Sequence, residues 1–146
     1  DELNHLRQES QHFGFPYFGG GADRTNDFKG RQLPKKITAP IVKFGAHVAA
    51  LGIHFYRGTQ FPKAYRNDAF VAQHGSWNRA VPQGYRIMRI KMDEKGSVMG
   101  KEIFADGWLQ GGSAWGRPVD IKETPDGALL VSDDSAGVIY RINYKK

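Results

Sequence analysis

From Val48 onward the chain alternates short apolar runs with polar, glycine-containing breaks. The runs lie near Ala49–Tyr56, Ala69–Gln73, Tyr85–Met92, Glu102–Ala105, Val119–Lys122, Ala128–Ser132 and Val138–Tyr144. Runs of this length with period-two character predict β-strands. From Asp1 to about Pro40, Gly14-Phe15-Pro16-Tyr17, Gly19-Gly20-Gly21 and a polar stretch to Pro34 interrupt every candidate helix, so this part reads as a loop-rich arm.

The strands also repeat as a group. Asn67–Gln73 is similar to Asp126–Ser132, with Ala69 and Ala128 separated by 59 residues. Gly84-Tyr85-Arg86-Ile87 answers Gly137-Val138-Ile139-Tyr140 at an offset of 53, because the first copy carries the longer loop Ser76–Gln83. A repeat of this size with about four strands per unit predicts an all-β fold, a β-propeller, with a β-sandwich as the other arrangement. The expected division is a loop-rich arm over 1–45, one four-stranded blade over 46–108, and three strands of the next blade over 109–146. About two blades do not close a ring, so the chain is expected to be a piece of a larger propeller or to need partner chains that supply the missing blades.

Composition narrows the function classes. With 18 Gly, 18 aromatic residues (3 Trp, 6 Tyr, 9 Phe) and 40% apolar residues, the chain has the means for a core built of short strands and tight turns. The net charge of +6 is scattered, with no basic block, which speaks against a nucleic-acid partner. There are no cysteines, so disulfides and thiolate metal sites are excluded. No apolar run approaches a membrane span, and the start at Asp1, with neither Met nor leader, reads as cut from something longer.

In an antiparallel blade the loop between strands two and three opens on the same face as the loop to the next blade. Three polar clusters then converge: His74-Gly75-Ser76-Trp77-Asn78-Arg79, Trp115-Gly116-Arg117-Pro118 and Asp133-Asp134-Ser135-Ala136-Gly137, with His47 facing the same way. Each has a structural alternative. His74 can cap a strand end, Asp133 and Asp134 can serve a turn, and Asp126-Gly127 is a hairpin turn in its own right. Arg117 and Arg79 stand apart, because guanidinium groups in Gly- and Trp-bearing loops can fork onto carboxylates and stack on planar rings. A planar anionic ligand suits them. No zinc-ligand spacing, nucleophile elbow or phosphate loop is present.

At these clusters the sequence resembles the soluble glucose and sorbosone dehydrogenase family. The carriers are Asp1-Glu2-Leu3-Asn4 with Phe13-Gly14-Phe15-Pro16-Tyr17, His47–Gly52 leading to Phe55-Tyr56, His74–Arg79, and Gly116-Arg117-Pro118-Val119 through Asp126–Leu129 to Ser132-Asp133-Asp134 and Ile139-Tyr140-Arg141. The resemblance implies a six-bladed propeller holding pyrroloquinoline quinone and calcium, periplasmic or secreted. It implies oxidation of a sugar hydroxyl, with hydride passing to the quinone and electrons then to a cytochrome or other acceptor. The cofactor-binding set it implies is Arg117, Arg79, His74, Trp77, Asn78, Asp133, Asp134 and His47. Two departures stand out: Phe15 replaces the usual Trp, and the His74–Arg79 loop lacks the cofactor-contacting lysine of glucose-type members. The family's catalytic histidine and its calcium-binding carbonyls fall on segments outside this chain, so catalytic residues are unassigned and the chain alone is expected to lack the general base. The alternative is a non-catalytic propeller fragment that binds a carbohydrate or a protein partner.

Overall fold

The structure is a computed structural model that describes residues 1–145. Its contacts divide the chain into two compact units, Asp1–Ala46 and His47–Lys146. In the first, strand β1 (Glu2–Leu3) pairs antiparallel with β2 (Val42–Lys43), and a single 3-10 turn covers Asn26–Phe28. So much glycine and proline leaves side chains to organise the loops. The Arg24 guanidinium donates to the carbonyls of Phe28, Lys29 and Arg31, and the Thr25 hydroxyl donates to the carbonyl of Pro16.

The second unit is built of antiparallel meanders. Strands β3 (Ala50–Phe55), β4 (Ala69–Gln73), β5 (Arg86–Met92) and β6 (Val98–Ala105) form a four-stranded sheet in sequence order. A short hairpin of β7 (Leu109–Gln110) and β8 (Ser113–Ala114) follows, and β9 (Pro118–Glu123), β10 (Leu129–Asp133) and β11 (Val138–Ile142) form a three-stranded sheet with β10 in the centre. The seven expected runs all become strands, with ends shifted by a few residues. The hairpin was not foreseen, although Gly111-Gly112 between two short runs is a two-residue turn signal.

Register explains the core. Residues paired across strands share a face, so His54, Phe70 and Arg89 point one way while Ile53, Val71 and Met88 point the other. The first face carries Phe70, Ala72 and Ile87, which bury against Ile121, Leu129 and Val131 of the second sheet together with Tyr56, Phe61 and Trp108. The inner strands β3 and β9 approach closely: a methyl added at Gly52 would lie 2.7 Å from the Val119 carbonyl oxygen. The buried Tyr56 hydroxyl donates to the Gly127 carbonyl at 2.8 Å and accepts from the Phe61 amide at 3.0 Å, pinning the turn before β10 to the first sheet.

One buried ion pair lies within the first sheet and the turn that precedes β4. Arg89 is buried, paired with buried Asp68 at 2.6 Å, and its guanidinium lies 3.6 Å from the Tyr65 ring centroid. Asp68 also accepts from the Met92 amide at 2.8 Å. Both partners are therefore satisfied, which burial of a charge requires.

Candidate functional site

Strand β4 ends in a loop whose backbone is held in uncommon conformations. The amides of His74 and Gly75 donate to the carbonyls of Ala49 and Val48, both at 2.9 Å, tying the loop to the residues that open β3. Among the described residues five non-glycine positions have positive φ, and three of them, His47, Ala49 and Tyr85, cluster here. Gly75 is at φ +101°, and a methyl there would run into the Tyr85 ring. Left-handed non-glycine residues cost about 1 kcal/mol or more each, and such strain concentrates where a surface is built for a purpose.

Arg117, just before β9, reaches into this loop. Its Nη1 donates to the Gly75 carbonyl at 3.3 Å and meets His74 Nδ1 at 3.5 Å. Its Nη2 lies 3.4 Å from both the Ser76 carbonyl and the Tyr85 hydroxyl, and its Cζ is 5.1 Å from the Tyr85 ring centroid. The four partners are two backbone carbonyls, a phenol oxygen and an imidazole nitrogen. Among the described residues no carboxylate forms an ion pair with Arg117, so its charge is positioned but not neutralised.

His74 is held from the other side by Asp134, whose Oδ1 lies 2.9 Å from His74 Nε2. A guanidinium can only donate, so Nδ1 is the acceptor toward Arg117 and Nε2 carries the proton given to Asp134. His74 therefore has partners on both ring nitrogens, and the reading of it as a lone strand-end histidine does not hold.

Asp133 has a different task from its neighbour. Its carboxylate is buried and accepts from the Ala136 amide and the Tyr140 hydroxyl, both at 2.8 Å. Burial alone would raise its pKa, but these bonds and those from the Arg117 and Ser135 amides outweigh it and hold the pKa below the ordinary carboxylate value. Tyr140 is shifted upward, by its own burial first and then by its bond to Asp133. The expected turn chemistry is thus present at Asp133, which also anchors the backbone of Arg117.

Of the other expected site residues, His47 is exposed at the entrance to β3, and Trp77, Asn78 and Arg79 are exposed in the loop after β4. Arg79 Nε donates to the Val81 carbonyl at 3.3 Å within that loop. The structure thus joins His74, Arg117, Asp133 and Asp134 through contacts. Sequence reasoning left Tyr85 out of the site and gave Ser76 and Tyr140 no role of their own, because a tyrosine on a strand and a serine in a loop carry no spacing signal. An open cleft of about 360 Å³ borders the site, lined by Val119, Ser132, Asp133, Asp134, Val138 and Ile139. At the opposite end of the inner strands, His54 Nε2 lies 3.4 Å from Glu123 Oε2 beside a second open cleft of about 430 Å³.

The donor set suits a planar polycarboxylate: a fixed guanidinium with its charge unmatched, a histidine of defined tautomer, and arginine-bearing loops on one face. It does not assemble a carboxylate site for calcium. No group of three His, Cys, Asp or Glu side chains converges among the described residues, and the nearby Asp133 and Asp134 are already engaged.

Consecutive antiparallel sheets stacked face to face, with polar loops gathered at one end, define blades of a β-propeller with a polar site on one face. The chain belongs to the TrAA12-like family, whose model matches residues 6–145. An uncharacterised protein of Borreliella burgdorferi is 44% identical over 150 residues, covering the whole chain but only 39% of that relative's length. Among solved structures, the holo form of the pyranose dehydrogenase PQQ domain from Coprinopsis cinerea shares the fold (TM-score 0.58, 23% identity, 74% of this chain and 30% of that one). A calcium structure of a carbohydrate-active enzyme of family AA12 from Trichoderma reesei has TM-score 0.59 at 23% identity, over 72% of this chain and 26% of that one. A glucose dehydrogenase crystal structure has TM-score 0.65 at 19% identity, over 92% of this chain and 36% of that one. The chain therefore spans well under half of each of these relatives.

Proposed function

We propose that the chain supplies part of the cofactor-bearing face of a pyrroloquinoline-quinone-dependent sugar oxidoreductase of the glucose and sorbosone dehydrogenase type. Residues 46–108 and 109–146 are taken as consecutive blades, and further blades complete the enzyme. The observation that carries this reading is the Arg117 guanidinium, held by Gly75, Ser76, Tyr85 and His74 with no carboxylate to balance it. Arg117 would receive a carboxylate of the quinone, with His74 oriented by Asp134 beside it. Arg79, Trp77, Asn78 and His47 would line the rim. The bound quinone supplies a two-electron acceptor for the sugar C–H. A cytochrome-like acceptor and a periplasmic or secreted setting belong to the same reading and rest on kinship. Among the described residues no helix is long and apolar enough to cross a membrane.

The need for further blades is supported by the sheet face away from the core, where Leu51, Ile53, Phe55 and Ile103 remain exposed. A second reading, a non-catalytic propeller piece, is favoured by one feature: among the described residues no group of three His, Cys, Asp or Glu side chains converges as a metal site.

The test is titration of the chain with pyrroloquinoline quinone, with and without calcium, followed by absorbance and by dye reduction on aldoses and sorbosone. The expected result is a spectral change weakened about tenfold or more in Arg117→Ala, without turnover by the chain alone. No spectral change under any condition moves the protein to the non-catalytic reading.

A further inference from the structure

His74 lies between two charges of opposite sign. Arg117, immediately before β9, faces its Nδ1 at 3.5 Å, and Asp134, in the turn after β10, faces its Nε2 at 2.9 Å. The loop that carries the imidazole is fixed, because the His74 and Gly75 amides donate to the carbonyls of Ala49 and Val48. The other titratable groups of these loops are engaged or in water. Asp133 is held by the Ala136 amide and the Tyr140 hydroxyl, the Tyr85 hydroxyl donates to the Ser76 carbonyl, and His47 and Arg79 are exposed. The charge on His74 is therefore governed by Arg117 and Asp134, which act in opposite directions: the carboxylate favours the imidazolium and the guanidinium opposes it.

Neutral His74 makes both contacts at once, accepting from Arg117 and donating to Asp134. Protonation changes only one of them. Nε2 goes on donating to Asp134, but Nδ1 gains a hydrogen and faces a guanidinium that can only donate, with the nearest nitrogens of two positive groups 3.5 Å apart. The His74 side chain is only 21% exposed, so water does not fully screen this opposition. A third charge decides the balance. An anion seated on Arg117 offsets the guanidinium, leaves Asp134 unopposed, and finds in the new Nδ1–H a second donor beside the first.

We propose that His74 is the proton-accepting second donor of the Arg117 anion site, so that an anionic ligand and a proton enter together. The empty site at pH 8 keeps His74 neutral against Arg117; the filled site holds it protonated between the anion and Asp134. Binding of a ligand that stays ionised throughout therefore tightens as pH falls through the range in which histidine changes charge. Asp134 is the positioning residue of this device, because it keeps a proton on Nε2 and leaves Nδ1 directed at Arg117. The inference deepens the cofactor-face reading above, on which it rests for the identity of the anion, by giving that site a proton-linked regulation.

Isothermal titration of the full chain with pyrroloquinoline quinone, and separately with sulfate, which does not titrate in this range, tests it between pH 5.5 and 8 in buffers of different ionisation heat. NMR of the imidazole and guanidinium nitrogens follows the same chain without ligand. The expected result is uptake of up to about one proton per anion bound and affinity about tenfold higher at pH 5.5 than at pH 8, with the ratio falling below about twofold in His74→Asn. In the free chain at pH 8 His74 should carry its proton on Nε2, the Arg117 resonances should move with the His74 titration, and Asp134→Asn should shift that titration to lower pH. Quinone binding without proton uptake overturns the switch and leaves the quinone reading standing. A pH dependence that His74→Asn retains, or a His74 titration that leaves Arg117 unmoved, overturns the switch as well. Should His74→Asn fail to fold, the proton count and the NMR of the unaltered chain decide. Proton-linked sulfate binding with no quinone binding refutes the quinone reading alone, and failure of both anions to bind overturns the two together.

Discussion

Neighbouring aspartates after β10 do unlike work. Asp134 keeps its carboxylate outside and holds the His74 tautomer, whereas Asp133 is drawn into a nest of donors from Ala136, Ser135, Arg117 and Tyr140. Asp133 has a depressed pKa in the folded state, so it binds a proton less readily there than when unfolded. The stability it contributes is full above the unfolded carboxylate pKa and is lost as pH falls toward its folded value. Asp133→Asn should therefore be less stable than the parent at neutral pH, and the gap should narrow on acidification, as read by thermal melts across pH 7 to 3. A gap independent of pH would remove the charged role of Asp133. Gly75→Ala should cost about 1–3 kcal/mol in denaturant melts, because φ +101° and the Tyr85 ring both oppose a side chain.

Elements are held in place by a few contacts across the sheet interface. Gly52 lets β3 lie against β9, and Gly52→Ala should destabilise the second unit by about 2 kcal/mol, since the obstacle includes backbone. Arg89 sits on the core-facing side of β5, two residues from buried Ile87, where periodicity alone would place a hydrophobic residue. It is tolerated because Asp68, Glu102 and the Tyr65 ring surround it. Asp68→Ala removes the buried partner and leaves Arg89 only the half-exposed Glu102, and should cost about 3 kcal/mol by urea denaturation. A cost below about 1 kcal/mol would show that water reaches Arg89. The strands themselves were legible because alternation and Asp-Gly turns are local signals. The β7–β8 hairpin was passed over because each of its strands is only two residues long.

At the scale of the whole molecule, the chain spans 39% of the length of its Borreliella burgdorferi relative and 36% of the glucose dehydrogenase chain it is similar to. The exposed row Leu51, Ile53 and Phe55 on β3 is the kind of face that another blade covers. The isolated chain should therefore self-associate with rising concentration. Ile53→Lys combined with Phe55→Lys should shift it toward monomer in sedimentation velocity, and concentration-independent behaviour of the unaltered chain would refute this.

Sequence by itself determined the strands, their repeat and the all-β propeller class, because a two-residue side-chain period and the glycine turns are written locally. It also placed the polar clusters on one face, since strand direction follows from connectivity. It named His74, Arg117, Asp133 and Asp134 but could not separate their tasks. Only the tertiary structure decided that Asp134 holds His74 while Asp133 is buried as an anchor, and that Tyr85 and Ser76 cradle Arg117. Those assignments depend on side chains brought together from 32 to 60 positions apart, and distances of that kind are fixed by blade packing, which no local pattern encodes.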